Sequence, residues 1–307
     1  MTGIIICHMG LIIFTIVNHQ PQKMKKVLFL IDFSTYAKHA AEYGYQLAKQ
    51  IKADIVLGNA IIVPAEIPQS GMVAWPMEES DTLLEDSEKE LKRLKAHMEQ
   101  NDHSATFRPA ITFASEAGTV TNAVAHFVKS QDIDLILMGT HHRGRLSSFL
   151  FGDHCKNVID STNKPLILIP PKAKFAPIKK IAFATDFKNP DDDLKFIYTL
   201  IPLAKQLNAE ILLTHVYDGK YQSPEFEHWI KNFLVELSDT ANYPNIYYRM
   251  VKNAGLERGL ECLCEHGQVD LLAMVHRQHG FFDDLLHGSD TKKMAGQVSI
   301  PLLIFQD

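Results

Sequence analysis

Lys26-Val27-Leu28-Phe29-Leu30-Ile31-Asp32-Phe33-Ser34 returns 154 positions later as Lys180-Ile181-Ala182-Phe183-Ala184-Thr185-Asp186-Phe187-Lys188. Both are largely apolar runs that stop at Asp-Phe. A run without polar alternation is the pattern of a strand covered on both faces, as in a parallel sheet. Two more segments recur in the same order. Asp132-Ile133-Asp134-Leu135-Ile136-Leu137-Met138 matches Gln268-Val269-Asp270-Leu271-Leu272-Ala273-Met274, and Lys164-Pro165-Leu166-Ile167-Leu168-Ile169 matches Ile300-Pro301-Leu302-Leu303-Ile304-Phe305, both at an offset of 136. Such spacing signals an internal repeat. The second copy is shorter by 18 residues, lost between its first strand and its later ones. Pro170-Pro171 to Pro177 is a proline-rich connector that cannot continue a strand. The chain therefore divides into units at 24–171 and 178–307, with 1–23 standing apart.

Within the first unit, Asp32-Phe33-Ser34 supplies short polar residues that can turn the chain and cap a helix. Ala37, Ala40, Ala41, Gly44, Leu47, Ala48 and Ile51 then fall on one helical face. A strand at 54–63 follows, then a loop at 64–77 and a charged helix at 78–100 with Leu83, Leu84, Leu91, Leu94 and Met98 inward. A strand at 106–113 and a helix at 120–130 precede the strand at 134–138, a loop and helix, and the last strand at 165–169. The second unit repeats this order: a strand at 181–185, a helix striped by Leu194, Ile197, Ile201, Ala204 and Leu207, and a strand at 210–216. A shorter helix carries Phe226, Trp229, Ile230, Phe233 and Leu237. A strand at 246–251, a helix at 256–266 and strands at 270–274 and 301–305 complete it. Alternating strands and helices predict an α/β fold, with two tandem doubly wound parallel-sheet domains covered by helices on both faces. Ligands in such sheets bind beyond the carboxyl ends of the strands. That places Asp32 beside the loop after Met138, and Asp186 beside the loop after Met274.

Hydrophobic residues make up 46 % and charged residues 22 %, the balance of a globular protein. A net charge of −5 argues against a nucleic-acid partner. Four cysteines without a CxxC pair fit a reducing, cytoplasmic setting. The apolar run from Gly3 to Val17 is shorter than a membrane helix and lacks a basic start. Met24 is read as the natural start, with 1–23 an upstream-start artefact or disordered tail; a weak membrane anchor is the lesser alternative. His276, His279 and His287, or His141, His142, His154 and Cys155, offer metal-ligand types, but solvated or core histidines are the preferred reading. Cys262 and Cys264 fall on different faces of one helix and do not form a joint ligand set. No GxSxG, HExxH or GxxxxGK[ST] pattern is present, so no catalytic residue is assigned.

The loop Gly139-Thr140-His141-His142-Arg143-Gly144-Arg145-Leu146-Ser147-Ser148-Phe149-Leu150-Phe151-Gly152-Asp153 resembles the signature of the universal stress protein family. The family's nucleotide-binding form reads Gly-x2-Gly-x9-Gly-Ser/Thr. Its glycines let backbone N–H groups approach phosphate, and its closing pair opens a helix whose N-terminus favours an anion. The resemblance implies an adenine nucleotide alpha hydrolase-like fold of universal stress protein type in both units. It also implies ATP or AMP as the ligand to test. Asp32 and Asp186 would lie near base and ribose, and Ala60 and Val216 near adenine. Met138, Gly139, Gly152, Met274, Gly288 and Ser289 would face ribose and phosphates. The two aspartates read equally well as turn and cap residues, and the glycines as turn residues. Here the signature is damaged. His142 occupies the second glycine position and Asp153 the hydroxyl position; the second unit has Val275 and Gln278 at the two glycine positions and keeps Gly288-Ser289. A carboxylate facing phosphate costs roughly a few kcal/mol, so the resemblance points to a non-catalytic stress-response protein with weak or absent ATP binding. The alternatives are an ATP-binding, weakly hydrolysing protein and a binder of another small molecule or metal. The two units are expected to pair within the chain through their last strands, Leu166 to Ile169 and Leu302 to Phe305, because an exposed apolar edge invites aggregation; a homodimer is the other outcome.

Overall fold

The computed structural model describes residues 5–6, 11–12, 23–62, 77–140, 153–185, 187, 190–217, 224–252, 256–277 and 299–307. Two short strands, β1 (Ile5–Ile6) and β2 (Leu11–Ile12), pair antiparallel. The first half of the main fold is β3 (Lys26–Leu30), α1 (Thr35–Ile51), β4 (Asp54–Ile61), α2 (Met77–Gln100), β5 (Ile111–Ala117), α3 (Val120–Ser130), β6 (Leu135–Gly139), α4 (Asp153–Ser161) and β7 (Leu166–Ile169). The second half is β8 (Lys180–Ala184), α5 (Pro190–Leu207), β9 (Glu210–Tyr217), α6 (Pro224–Ala241), β10 (Ile246–Lys252), α7 (Leu256–His266), β11 (Leu271–His276) and β12 (Leu302–Gln306).

Ten strands form one sheet in the order β10-β9-β8-β11-β12-β7-β6-β3-β4-β5. Read from each outer edge inward, the two halves have the same strand order. Every pairing in it is parallel except the central one, where β12 meets β7 antiparallel, Leu303 opposite Ile167. The edge pairing expected of the last strands is therefore made within the chain, and all four residues of β7 are buried. Successive side chains of a strand point to opposite faces. Val27 and Phe29 join one core with α1, α2, α5 and α6, while Leu28 joins a second core with α3, α4 and α7. Both cores run through both halves.

Local details repeat as well. Phe33 and Phe187 have φ of 60° and 52°, Lys52 and Asn208 of 57° and 52°, and Asp132 and Gln268 of 55° and 52°. Non-glycine residues adopt this region uncommonly, so three corresponding pairs mark the same backbone path used twice. Asp134 accepts from the N–H groups of Lys25 (2.8 Å) and Lys26 (3.1 Å), and Asp270 from those of Lys179 (2.8 Å) and Lys180 (2.9 Å). The carboxylate that opens β6 or β11 thus fixes the entry of the neighbouring first strand.

Two expectations are corrected. The strand at 106–113 begins later, at Ile111, and runs on to Ala117. Pro109 has no N–H to give the ladder, and the half-buried edge strand tolerates Ser115 and Glu116, which read as loop. Leu83 is 40 % exposed, not inward. The buried stripe of α2 runs instead through Ser87, Leu91, Leu94 and Met98.

A reciprocal exchange joins the halves. The Gln206 side chain accepts from the Met24 N–H (2.7 Å) and donates to the carbonyls of Met24 (2.8 Å) and Ile51 (2.7 Å). Gln50 accepts from the Ile178 N–H (3.1 Å) and donates to the carbonyls of Ile178 (3.0 Å) and Leu207 (3.4 Å). Corresponding residues trade the same bonds, as a two-fold interface requires. Near the end of α1, the buried Asp102 carboxylate accepts from Lys49 Nζ (2.7 Å), the Tyr45 hydroxyl (2.9 Å) and the Ser104 hydroxyl (2.7 Å). The Lys49 hydrogen bond first, then the Ser104 one, holds its pKa well below the usual carboxylate range.

Gln206→Ala leaves the Met24 amide group without its partner and should lower stability by about 2 kcal/mol, read as an earlier urea midpoint. Asp102→Ala strands Lys49 and should cost about 3 kcal/mol at neutral pH. Because the folded carboxyl titrates below its unfolded value, this contribution is complete above about pH 4 and fades as pH falls further. Urea curves of the two proteins should therefore converge in acid.

Candidate functional site

Because the two halves meet antiparallel, the carboxyl ends of the first half's strands lie at one edge of the sheet and those of the second half at the opposite edge. Each edge is a candidate ligand rim.

At the first rim, β3 leads through Ile31 to Asp32. Asp32 Oδ1 accepts from the Ser34 N–H (3.0 Å), and Ser34 Oγ caps α1 by accepting from the Ala37 N–H (3.1 Å). Asp32 is exposed and forms the turn anticipated for it. The first turn of α1 has no acidic side chain. Gly139 ends β6 under that turn: a Cβ there would sit 2.7 Å from the Tyr36 carbonyl oxygen and 3.2 Å from the Ala40 Cβ. The glycine therefore allows α1 to close directly on the strand exit. Met138 is 9 % exposed, and Ala60 is half-buried opposite Glu116 of β5. Cys155 on α4 is buried, and burial, then the charge of Asp32, pushes its thiol pKa up to about 12. It stays protonated and is no nucleophile at neutral pH.

The structure thus brings Asp32, Ala60, Met138 and Gly139 to one edge. Asp153 is the first residue of α4. His142 and Gly152 lie outside the described residues. The sequence reading missed Asn59, Ser87 and Ser115. The buried Asn59 amide donates to the Ile31 carbonyl (2.5 Å) and accepts from the Ser87 hydroxyl (2.9 Å), which shares a hydrogen bond with Ser115 (2.7 Å). This row fixes the exit of β3 against β4, β5 and α2. Its one signal was a polar Asn inside an otherwise apolar strand.

The second rim is built differently. Thr185 follows β8, and its hydroxyl donates to the buried Asp193 carboxylate while accepting from the Phe187 N–H (2.9 Å). Phe187 packs among His215 (5.8 Å), Trp229 (5.8 Å), Phe233 (6.4 Å) and Tyr248 (6.0 Å). Val216 faces α7, where a Cβ on Gly259 would meet its side chain. Met274 is fully buried in β11. Asp186, Gly288 and Ser289 lie outside the described residues. Among the described residues, no group of three His, Cys, Asp or Glu side chains could hold a metal ion. Cys262 is exposed and Cys264 half-buried.

Residues 23–170 match the family model described as Universal stress protein family. The first half of the chain is thus similar to the universal stress protein family. Among curated relatives, a universal stress protein of Methanocaldococcus jannaschii is 26% identical over 161 residues, 52% of this chain and 89% of that protein. A second from the same organism is 24% identical over 159 residues, 47% of this chain and 94% of that protein. Among solved structures, a universal stress protein from Archaeoglobus fulgidus superposes with a TM-score of 0.63 at 16% identity, over 92% of this chain and 96% of that one. At that identity the likeness shows the fold, and it shows it across both halves of the chain. Among the described residues, no helix is long and apolar enough to cross a membrane.

Gly139→Ala would push the Tyr36 carbonyl away from β6, a strain worth roughly 1–3 kcal/mol. A thermal melt of this variant should show a lower midpoint with the same far-UV spectrum.

Proposed function

We propose that this chain is a universal stress protein, a non-catalytic, cytoplasmic stress-response protein of two tandem domains, at 24–171 and 178–307, that binds a small ligand at its first rim. The observation that carries this reading is the glycine-floored exit of β6 beneath α1, whose first turn carries no acidic side chain. Backbone N–H groups at such an end favour an anion, so an adenine nucleotide, ATP or AMP, is the first ligand to test. The sequence of the adjoining loop argues for weak binding. His142 stands at a glycine position and Asp153 at a hydroxyl position. Asp153 also supports a protein that does not turn ATP over, because a negative charge facing phosphate opposes the build-up of charge there. Domain pairing within the chain uses the edge that could otherwise join two copies, which favours a monomer over a homodimer.

Native mass spectrometry of the freshly purified protein should reveal a co-purified small ligand, and light scattering a monomer. Calorimetry with ATP and Mg²⁺ should show weak or no heat, with no phosphate release above the buffer blank. Sustained release, abolished by disrupting the first rim, would replace this reading with an ATPase.

A further inference from the structure

The second rim carries a cation that its own chain has covered. Arg277 is the first residue beyond the carboxyl end of β11, where this sheet type receives its ligands. Its Nη2 donates to Asp193 Oδ1 at 2.9 Å and its Nε to Asp307 Oδ2 at 3.0 Å. The guanidinium carbon lies 5.7 Å from the centre of the Phe196 ring, which in turn packs on Phe305 at 5.8 Å. The side chain is therefore held over the rim on a rigid apolar support, and it is still 19% exposed.

The two carboxylates that hold it differ. Asp307 is 39% exposed, an ordinary surface partner. Asp193 is 2% exposed and also accepts the Thr185 hydroxyl. It sits in the first turns of α5, three residues after Pro190. Its counterpart region in α1 has no acid in the first turn. A planar guanidinium offers a fork of donors that matches phosphate as well as carboxylate. Here two carboxylates each take one of its donors, the buried Asp193 at Nη2 and the more exposed Asp307 at Nε.

We propose that Asp193 masks an anion-binding site at the second rim: its buried carboxylate occupies the Arg277 guanidinium, and the rim takes a phosphate-bearing anion only when that pair is broken. Asp193 is then a specificity-determining residue, because it sets which of the two rims is open to an anion. The inference goes beyond the reading of the first rim and uses none of its residues.

The test follows the Arg277 Nε–H signal in the ¹⁵N-labelled full-length protein while pyrophosphate is added. In the native chain the signal should not move. In Asp193→Asn, which keeps the shape but removes the charge, it should shift saturably, with a dissociation constant at least roughly tenfold lower. Arg277→Gln should remove both signal and response. A native signal that responds as strongly as that of Asp193→Asn overturns the proposal. So does a folded Asp193→Asn, judged by its far-UV spectrum, whose signal stays still. Should that variant not fold, Asp193→Ser takes its place under the same criteria, and a pyrophosphate-responsive native chain still overturns the idea by itself. The amide signal of Ala37, at the first rim, is read in the same titration. Its behaviour judges the first-rim reading separately.

Discussion

The antiparallel seam between β7 and β12 is the constraint on which the rest of the architecture depends. Each strand is wholly or nearly wholly buried and apolar, so neither half could expose it without a sticky edge. Joining them makes one sheet from two and lets both hydrophobic cores pass from half to half. It also brings the start of each half against the first helix of the other. That contact is where Gln50 and Gln206 find their corresponding partners. The seam supplies apolar burial, and the paired glutamines supply direction: they satisfy buried backbone groups only when the two halves stand in this one orientation.

Parts that hold the backbone have been kept in both halves, and parts that face the rims have diverged. Asp134 and Asp270 make the same two bonds. The left-handed turns at Lys52 and Asn208 recur. At the rims, Gly139 corresponds to Val275 and the cap residue Ser34 to Lys188. One rim is floored by glycine and tied by an Asn-Ser-Ser row. The other is packed with aromatic rings and an ion pair.

The fold was legible in the sequence because its signal is local and repeated. Uninterrupted apolar runs such as Leu166 to Ile169 state both strand and burial at once, and a second copy of each confirms the reading. Helix faces were legible for the same reason, with all seven residues of the predicted α1 stripe buried. Leu83 failed because an apolar residue beside the stripe resembles one within it. The first-rim residues Asp32 and Gly139 could be located from their place after a strand. What could not be located was the pairing of distant polar groups. Asp193 and Arg277 are 84 positions apart, and Ser87 and Asn59 are 28 apart. Neither pair leaves any periodic trace, because only the folded sheet brings its members together.

The opposed direction of the two halves has a consequence for how such a molecule can be read by others. Ten strands at about 4.8 Å spacing make a sheet roughly 40 Å across, and its two rims look out from opposite sides. The chain therefore presents two separate surfaces, joined only through the cores that both halves share.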